Sequence, residues 1–571
     1  MTDVTEADWV SRFADEVIAE ADRRSPGKQI VCASGLSPSG PIHLGNLREV
    51  MTPHLVADEI RRRGRDCVHL ISFDDYDRYR KVPAGIDPSW AEHIGKPLTS
   101  VPAPPGSSYP NWAEHFKAEL VAALAELGVD YRPVSQTQMY TSGAYTDEIL
   151  TAMRGRGRID AILDQYRTKG RSVKISDKLS AEDAAAAAEA AEGSGAASED
   201  EGGAGSSYYP YKPYCSVCDR DLTTVTAYDD ATTAMSYTCE CGHAETVILR
   251  DHRRGKLVWK VDWPMRWAFE GVVFEPSGVD HSSPGSSFQV GGEIIGPVFG
   301  GVQPIGPMYA FVGIKGMAKM SSSRGGVPTP GDALRIMEAP LLRWLYARRR
   351  PNQSFQIAFD QEIQRMYDEW DALVSRVAAG TATAADLAAY ARAAGTAAGP
   401  LPTTPRPIAY RTLASIVDIT TGDEEQTLRI VRDLDATDPI GSLDEARPRL
   451  DRAANWVLSY MPTEERTHIR DEPDQDLLAT LDDNQRESLR MLAAGLDDNW
   501  SLDGLTTLLY GVPKRQLGLP LDVKPTPELK VAQRGFFALL YHLLVSRDTG
   551  PRLPTLLLAL GADRVRKLLG G

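Results

Sequence analysis

The sequence predicts an α/β fold: a parallel sheet in the first half, interrupted by a small cysteine-bearing module and followed by an all-α C-terminal region. Three observations predict it. An apolar run at 29–33 leads into a Ser/Gly/Pro-rich turn, a helical stretch and a second apolar run at 67–73, the strand–turn–helix–strand order of a parallel sheet. Four of the six cysteines crowd between Cys215 and Cys241. From about residue 332 onward the apolar spacing is helical almost throughout.

In chain order, 29–33 reads as a short buried strand, Ser34 to Pro41 as a turn, and His43 to about Gly64 as a helix with a stripe of Leu47, Val50, Leu55, Val56 and Ile60. Residues 67–73 form the next strand, Trp112–Leu127 a helix, and 145–165 a further helix. From 178 to 207 the composition collapses into Ala, Glu, Gly, Ser and Asp, which cannot bury a core. The cysteine module at 208–250 contains β-prone pieces such as Ala234–Thr238, and 256–327 returns to mixed strand and loop. Ile363, Met366, Tyr367, Trp370, Leu373, Val374 and Val377 mark a long helix, an Ala/Gly/Pro/Thr-rich break follows at 380–407, and 531–547 and 553–569 read as two closing helices. The expected organisation is therefore 1–177 and 251–331 as two halves of a Rossmann-like domain, 178–207 as an insertion, 208–250 as the cysteine module and 332–571 as the helical region.

A chain of 571 residues exceeds one core, and 42% hydrophobic with 25% charged residues suits a soluble globular protein. No apolar run approaches the ~18 residues of a membrane span, and the acidic start Met1–Glu6 lacks the apolar core of a secretory leader. No membrane partner and a cytoplasmic location are expected. A net charge of −15 argues against coating nucleic acid over the whole surface, and DNA is not expected as a partner. Arg61-Arg62-Arg63 and Arg348-Arg349-Arg350 could form local phosphate patches or be solvated helix ends.

Two motifs carry chemistry together. Pro38-Ser39-Gly40-Pro41-Ile42-His43-Leu44-Gly45-Asn46 puts a turn, a histidine and an asparagine at a helix N-terminus, where side chains and free N–H groups can meet phosphate, and Gly45 lets a nucleotide base approach the backbone. Lys319-Met320-Ser321-Ser322-Ser323 lies in a Gly/Ser-rich loop able to close over a polyphosphate. Alone, the first is a capped helix and the second a basic loop. As a pair they predict ATP with Mg²⁺, bound by His43, Gly45, Asn46, Lys319, Ser321 and Ser322, with His43, Asn46 and Lys319 catalytic.

This pair resembles the class I aminoacyl-tRNA synthetases, whose second motif ends Lys-Met-Ser-Lys-Ser; here Ser322 replaces the second lysine. Phe73-Asp74-Asp75-Tyr76-Asp77-Arg78-Tyr79, the Leu257–Trp267 stretch, the Gly278-Val279-Asp280-His281 turn and Tyr309 look like class I lysyl-tRNA synthetases in particular. The resemblance runs from about residue 10 to the C-terminus. It implies L-lysine and tRNA(Lys) as substrates, a lysyl-adenylate intermediate, an anticodon-binding helical region, and a lysine site of Gly35, Ser37, Asp74, Trp259, His281 and Tyr309. Read from the residues alone, Trp259 could be core packing beside Trp263 and Trp267. The aspartates could pair with Arg78, Arg80 and Lys81. Alternatives within reach are another class I synthetase, or an inactive synthetase-like protein that binds RNA.

Cys215-Ser216-Val217-Cys218 and Cys239-Glu240-Cys241-Gly242-His243 make two knuckles suited to one structural Zn²⁺ in a zinc-ribbon module. Five candidates compete for four positions. The resemblance favours Cys215, Cys218, Cys239 and His243, with Cys241 as the alternate. A second zinc site near 103–115 is not expected, since only His115 could ligate there.

Overall fold

The computed structural model describes residues 8–83, 85–167, 207–281, 285–315, 326–435 and 437–570. Lys319, Ser321, Ser322 and nearly all of the 178–207 segment lie outside the described residues.

Strands Arg132–Ser135, Cys67–Phe73, Ile30–Leu36 and Val272–Phe274 lie side by side in that order, all parallel. Both faces of the two central strands are covered, so they read as continuous apolar runs rather than alternating ones. The ladder pairs Leu36 with Phe73 and Phe73 with Ser135, which brings three strand C-termini level. Such an edge is where a parallel sheet places its ligand. The first strand runs on to Leu36, beyond the expected end at Ala33, because Ser34 and Gly35 pair with Ile71 and Ser72. Ladder hydrogen bonds there outweigh the turn-like composition.

Helix Leu44–Arg62 buries Leu47, Val50, Met51, Leu55, Val56 and Ile60. The expected 145–165 helix is two, Thr146–Arg154 and Arg156–Arg167, separated at Gly155. They share a core with the cysteine module through Ile149, Leu150, Met153, Tyr211, Tyr214, Met235 and Tyr237. That module holds an antiparallel sheet of Thr223–Tyr228, Ala234–Cys239 and Ala244–Ile248. Its ends are drawn together where Tyr211–Pro213 pairs with Gly255–Leu257. Gly255 is required at that junction: its φ is +145°, and a Cβ would lie 2.5 Å from the Tyr211 hydroxyl and 2.6 Å from the Lys212 carbonyl.

The chain forms two compact units. One comprises Met1–Leu334, Ala339–Ile357 and Arg376–Leu401; the other comprises Arg335–Glu338, Ala358–Ser375 and Pro402–Gly571. The expected single break near 332 is thus not where the chain divides. Residues 339–357 and 376–401 stay with the sheet because Phe355–Ile357 extends Val312–Ile314 as a parallel pair, and Arg392 makes ion pairs with Asp8 and, at 2.6 Å, with Glu59. The expected break at 380–407 contains helix Ala384–Ala394, capped by Thr383; its alanines favour helix. The second unit is helical, with Tyr367 stacked on Tyr410 at 4.1 Å and Arg449 buried against Glu338 at 2.7 Å. Its C-terminal end is three helices, Pro527–Val545, Leu553–Leu560 and Ala562–Leu568, the last two parted at Gly561. Among the described residues no helix is long and apolar enough to cross a membrane.

Candidate active site

The level strand ends open onto a cleft of about 360 Å³. Gly35, Ser37, Asp74, Trp259, His281 and Tyr309, scattered through the sequence, all line it, and so does Asn46. The backbone explains the gathering. Gly35 is the next-to-last residue of one central strand and Asp74 follows the other, its N–H donating to the Leu36 carbonyl at 2.8 Å. Gly278 pairs in parallel with Tyr309, and a short 3-10 turn, Val279–His281, then carries His281 to the same rim.

At one end of the cleft stands helix Leu44–Arg62. Its N-cap is His43, one residue outside the helix, and not a member of the first turn as the sequence suggested. His43 Nδ1 accepts the Gly45 N–H at 3.1 Å, while Asn46 Oδ1 accepts the His43 N–H at 3.2 Å, a reciprocal capping box. Burial lowers the His43 pKa to about 4, so the ring is neutral and Nδ1 remains an acceptor. The Leu44 N–H donates to the Pro328 carbonyl at 3.1 Å and the Asn46 N–H to the His43 carbonyl at 2.9 Å. The N–H groups of Leu44, Gly45 and Asn46, at the helix N-terminus where the sequence suggested free donors, are therefore engaged by the cap and by the chain beyond residue 325.

One turn beyond Asn46, Glu49 projects into the cleft. Its Oε1 accepts the Gly35 N–H at 3.1 Å and its Oε2 the Tyr309 hydroxyl at 3.1 Å. Sequence reading missed Glu49; the available signal was its spacing of three from Asn46.

The aspartates after the second strand do bind cations, from distant elements as well as from their own loop, where Arg80 acts on Asp77. Asp74 meets Arg266 at 2.5 Å, Asp75 accepts the Thr137 N–H at 2.8 Å and faces Lys117 at 3.3 Å, and Asp77 pairs with Lys256. Burial pushes the Asp74 carboxyl up to about 6 against the pull of Arg266. Burial also works against the Asp77 carboxylate, but Lys256 and Arg80 outweigh it and hold its pKa below the usual range. Arg266 is in turn clamped by Asp262, which also accepts the Tyr140 hydroxyl at 2.6 Å. Asp74, expected as a direct lysine contact, lies at the cleft and also meets Arg266. Its carboxylate lines the cleft yet is engaged by a buried guanidinium, because helix Trp259–Glu270 places Arg266 directly beneath it.

The same helix carries Trp259, Trp263 and Trp267, spaced by four and hence on one face. Trp259 stacks on Trp263 with centroids 5.1 Å apart and planes 19° apart, and Trp263 lies 4.9 Å from Trp267. Trp263 and Trp267 join the core under the sheet, whereas Trp259 is half-buried at the cleft. Core packing and cleft lining are thus both served by this series. Behind it Glu275, 5% exposed, accepts the Trp263 indole N–H at 2.9 Å and that of Trp267 at 2.7 Å. Burial pushes its carboxyl up to about 7 despite these donors. The cysteine module contributes Lys212, Tyr214 and Asp221 to the cleft wall, anchored by Tyr214 donating to the Tyr76 carbonyl at 2.6 Å and the Asp221 N–H to that of Gly95 at 2.8 Å.

The cluster able to hold a metal differs from the favoured set. Cys215, Cys218, Cys239 and Cys241 bring their sulfurs within 4.8 Å of one another, with Cys215–Cys241 at 3.8 Å and Cys218–Cys239 at 3.6 Å. Four thiolates about 2.3 Å from a tetrahedral zinc sit about 3.8 Å apart, so these residues fit Zn²⁺. His243 instead directs Nε2 to Ser216 Oγ at 3.1 Å and Glu245 at 3.4 Å. The cause is a tight turn: the Gly242 N–H donates to the Cys239 carbonyl at 2.9 Å, and Gly242 has φ +90°. This turn brings the Cys241 sulfur to the other three and starts the next strand at Ala244.

Residues 7–395 match the sequence family described as tRNA synthetases class I (K). The chain is 70% identical to a lysine--tRNA ligase of Streptomyces coelicolor, over 99% of this chain and 98% of that one. It is 32% identical to a lysine--tRNA ligase of Thermococcus kodakarensis, over 98% and 99% respectively. A solved glutamate tRNA ligase of Elizabethkingia meningosepticum aligns at 11% identity and TM-score 0.41, over 95% of this chain and 99% of that one.

Proposed function

Because the chain belongs to the class I (K) tRNA synthetases, we propose that it attaches L-lysine to tRNA(Lys) in two steps, using ATP with Mg²⁺. The observation that carries the reading is the gathering of Gly35, Ser37, Trp259, His281 and Tyr309 around one cleft beside Asn46, in a chain largely identical to a lysine--tRNA ligase.

In the first step the lysine carboxylate attacks the α-phosphorus of ATP; the new C–O–P bond forms as the bond to pyrophosphate breaks, giving lysyl-adenylate. Asn46 and neutral His43 orient the nucleotide at the helix N-terminus, and Lys319 with Ser321 and Ser322 neutralises the departing pyrophosphate. Glu49, held by the Gly35 N–H and the Tyr309 hydroxyl, receives the α-ammonium beside Ser37. The lysine side chain lies along Trp259, whose aromatic face suits a cation, with His281 at the rim. The Asp74–Arg266–Asp262 and Asp77–Lys256 pairs form a rigid charged floor. In the second step a hydroxyl of the terminal tRNA ribose attacks the acyl carbon and AMP leaves. The second unit is the anticodon-reading region, and one Zn²⁺, held by the four clustered cysteines, would cross-link the module that supplies Lys212, Tyr214 and Asp221. Such work belongs in the cytoplasm.

Pyrophosphate exchange measured with each of the twenty amino acids tests the reading. Lysine should drive exchange best, and tRNA(Lys) should then accept lysine. Exchange driven best by another amino acid would overturn it.

A further inference from the structure

We propose that Glu275 is a positioning residue that sets affinity for the amino acid by locking the Trp263–Trp267 pair, and through it the Trp259 face, against the cleft. This rests on the reading that the cleft takes lysine.

The geometry behind it is a chain of fixed orientations. Glu275 directly follows strand Val272–Phe274, and its N–H donates to the Ile305 carbonyl at 3.0 Å, so its backbone is part of the sheet edge. Its two carboxylate oxygens each take one indole N–H, from Trp263 and Trp267, one helical turn apart. An indole offers a single donor, so each ring is pinned in rotation as well as in position. Trp263 passes that orientation on by stacking at 19° against Trp259. Trp263 also touches His281 edge-on at 5.7 Å. Two walls of the cleft, one aromatic and one imidazole, thus depend on one carboxylate at the cleft lining whose two oxygens are both taken by indole N–H groups.

A buried carboxylate is unfavourable unless its oxygens are satisfied, and a hydrophobic or amide side chain would fill the same space beneath the sheet. The choice of an acid makes sense as a double acceptor. A glutamine can accept one indole N–H through its oxygen but would oppose the second with its own N–H₂. One tryptophan would then be released.

The test compares wild type with Glu275→Gln in lysine-dependent pyrophosphate exchange. The KM for lysine should rise up to about tenfold, the upper range for one lost hydrogen bond, while kcat and the KM for ATP change less than about twofold. Preference for lysine over norleucine, its uncharged counterpart, should fall by a similar factor. An unchanged lysine KM would overturn the proposal, and so would a parallel loss of kcat, ATP affinity and melting temperature, which would mark a purely structural acid. Should Glu275→Gln fail to fold, Trp263→Phe, which keeps a ring but removes the donor, gives the same comparison. If wild type exchanges with a different amino acid, the lysine reading fails, and the KM comparison is made with that amino acid instead.

Discussion

The Leu44 N–H donates to the Pro328 carbonyl at 3.1 Å, so the chain returning from the Lys319 loop is tied to the first residue of the helix that His43 caps. On the other side of the Lys319 motif, the Lys315 N–H donates to the Ile357 carbonyl at 3.1 Å. Both of its anchors therefore belong to the unit that carries the cleft.

In the proposed reaction Lys319 is the phosphate cation of the first step, which mutation tests. Lys319→Ala should slow lysine-dependent pyrophosphate exchange by about 2–4 kcal/mol of transition-state stabilisation, with lysine affinity by equilibrium binding unchanged. An unaltered kcat would remove Lys319 from the mechanism.

Glu49 predicts a difference between two ligands. Glu49→Gln should raise the KM for lysine by about tenfold or more through loss of a charge-assisted contact. Inhibition by 6-aminohexanoate, which lacks the α-amine, should be equally strong in both proteins. Weaker inhibition in the variant would place the side-chain ammonium, and not the α-ammonium, at Glu49.

Metal analysis separates the two candidate ligands. Cys241→Ser should lose zinc and loosen the 208–250 module, whereas His243→Ala should retain about one equivalent, because His243 is turned to Ser216 and Glu245. Zinc loss in His243→Ala with retention in Cys241→Ser would reverse the assignment.

Acid stability offers a signed test. Burial lowers His69 to about 3 and His54 well below its ordinary value, with Arg343 and His69 adding to the effect on His54. For these residues the unfolded chain binds protons at pH values where the folded chain does not. Their contribution is complete above about pH 6.5 and is lost as pH falls towards the folded values, by at most about 1.4 kcal/mol per pH unit for each. Asp74 and Glu275 act in the opposite sense. Burial raises both, so their ionisation destabilises the fold as pH climbs through about 4 to 7. The net slope mixes the two, and the difference between proteins isolates one. His69→Gln should lose less stability than wild type between pH 6.5 and 4 in urea melts; parallel curves would contradict a neutral buried His69.

Periodicity and motif spacing made much of this legible in advance. The second strand, Cys67–Phe73, matches its expected limits, and the long helix Glu362–Ala378 follows its apolar stripe. The residues that resemblance assigned to a lysine site do share one cleft. These features are encoded locally, in the alternation and spacing that backbone geometry imposes on neighbouring residues.

What the sequence by itself determined was the order of elements and the clustering of four cysteines. Only the tertiary structure decided who meets whom. Asp74 is engaged by Arg266, 192 positions away, and Glu49 is braced by Tyr309, 260 positions away. Cys241 displaced His243 through the backbone turn at Gly242. A buried charge or a thiol takes whichever partner satisfies it at hydrogen-bond or ligand distance. That partner is set by how strands and helices pack, which residue type and spacing alone do not specify.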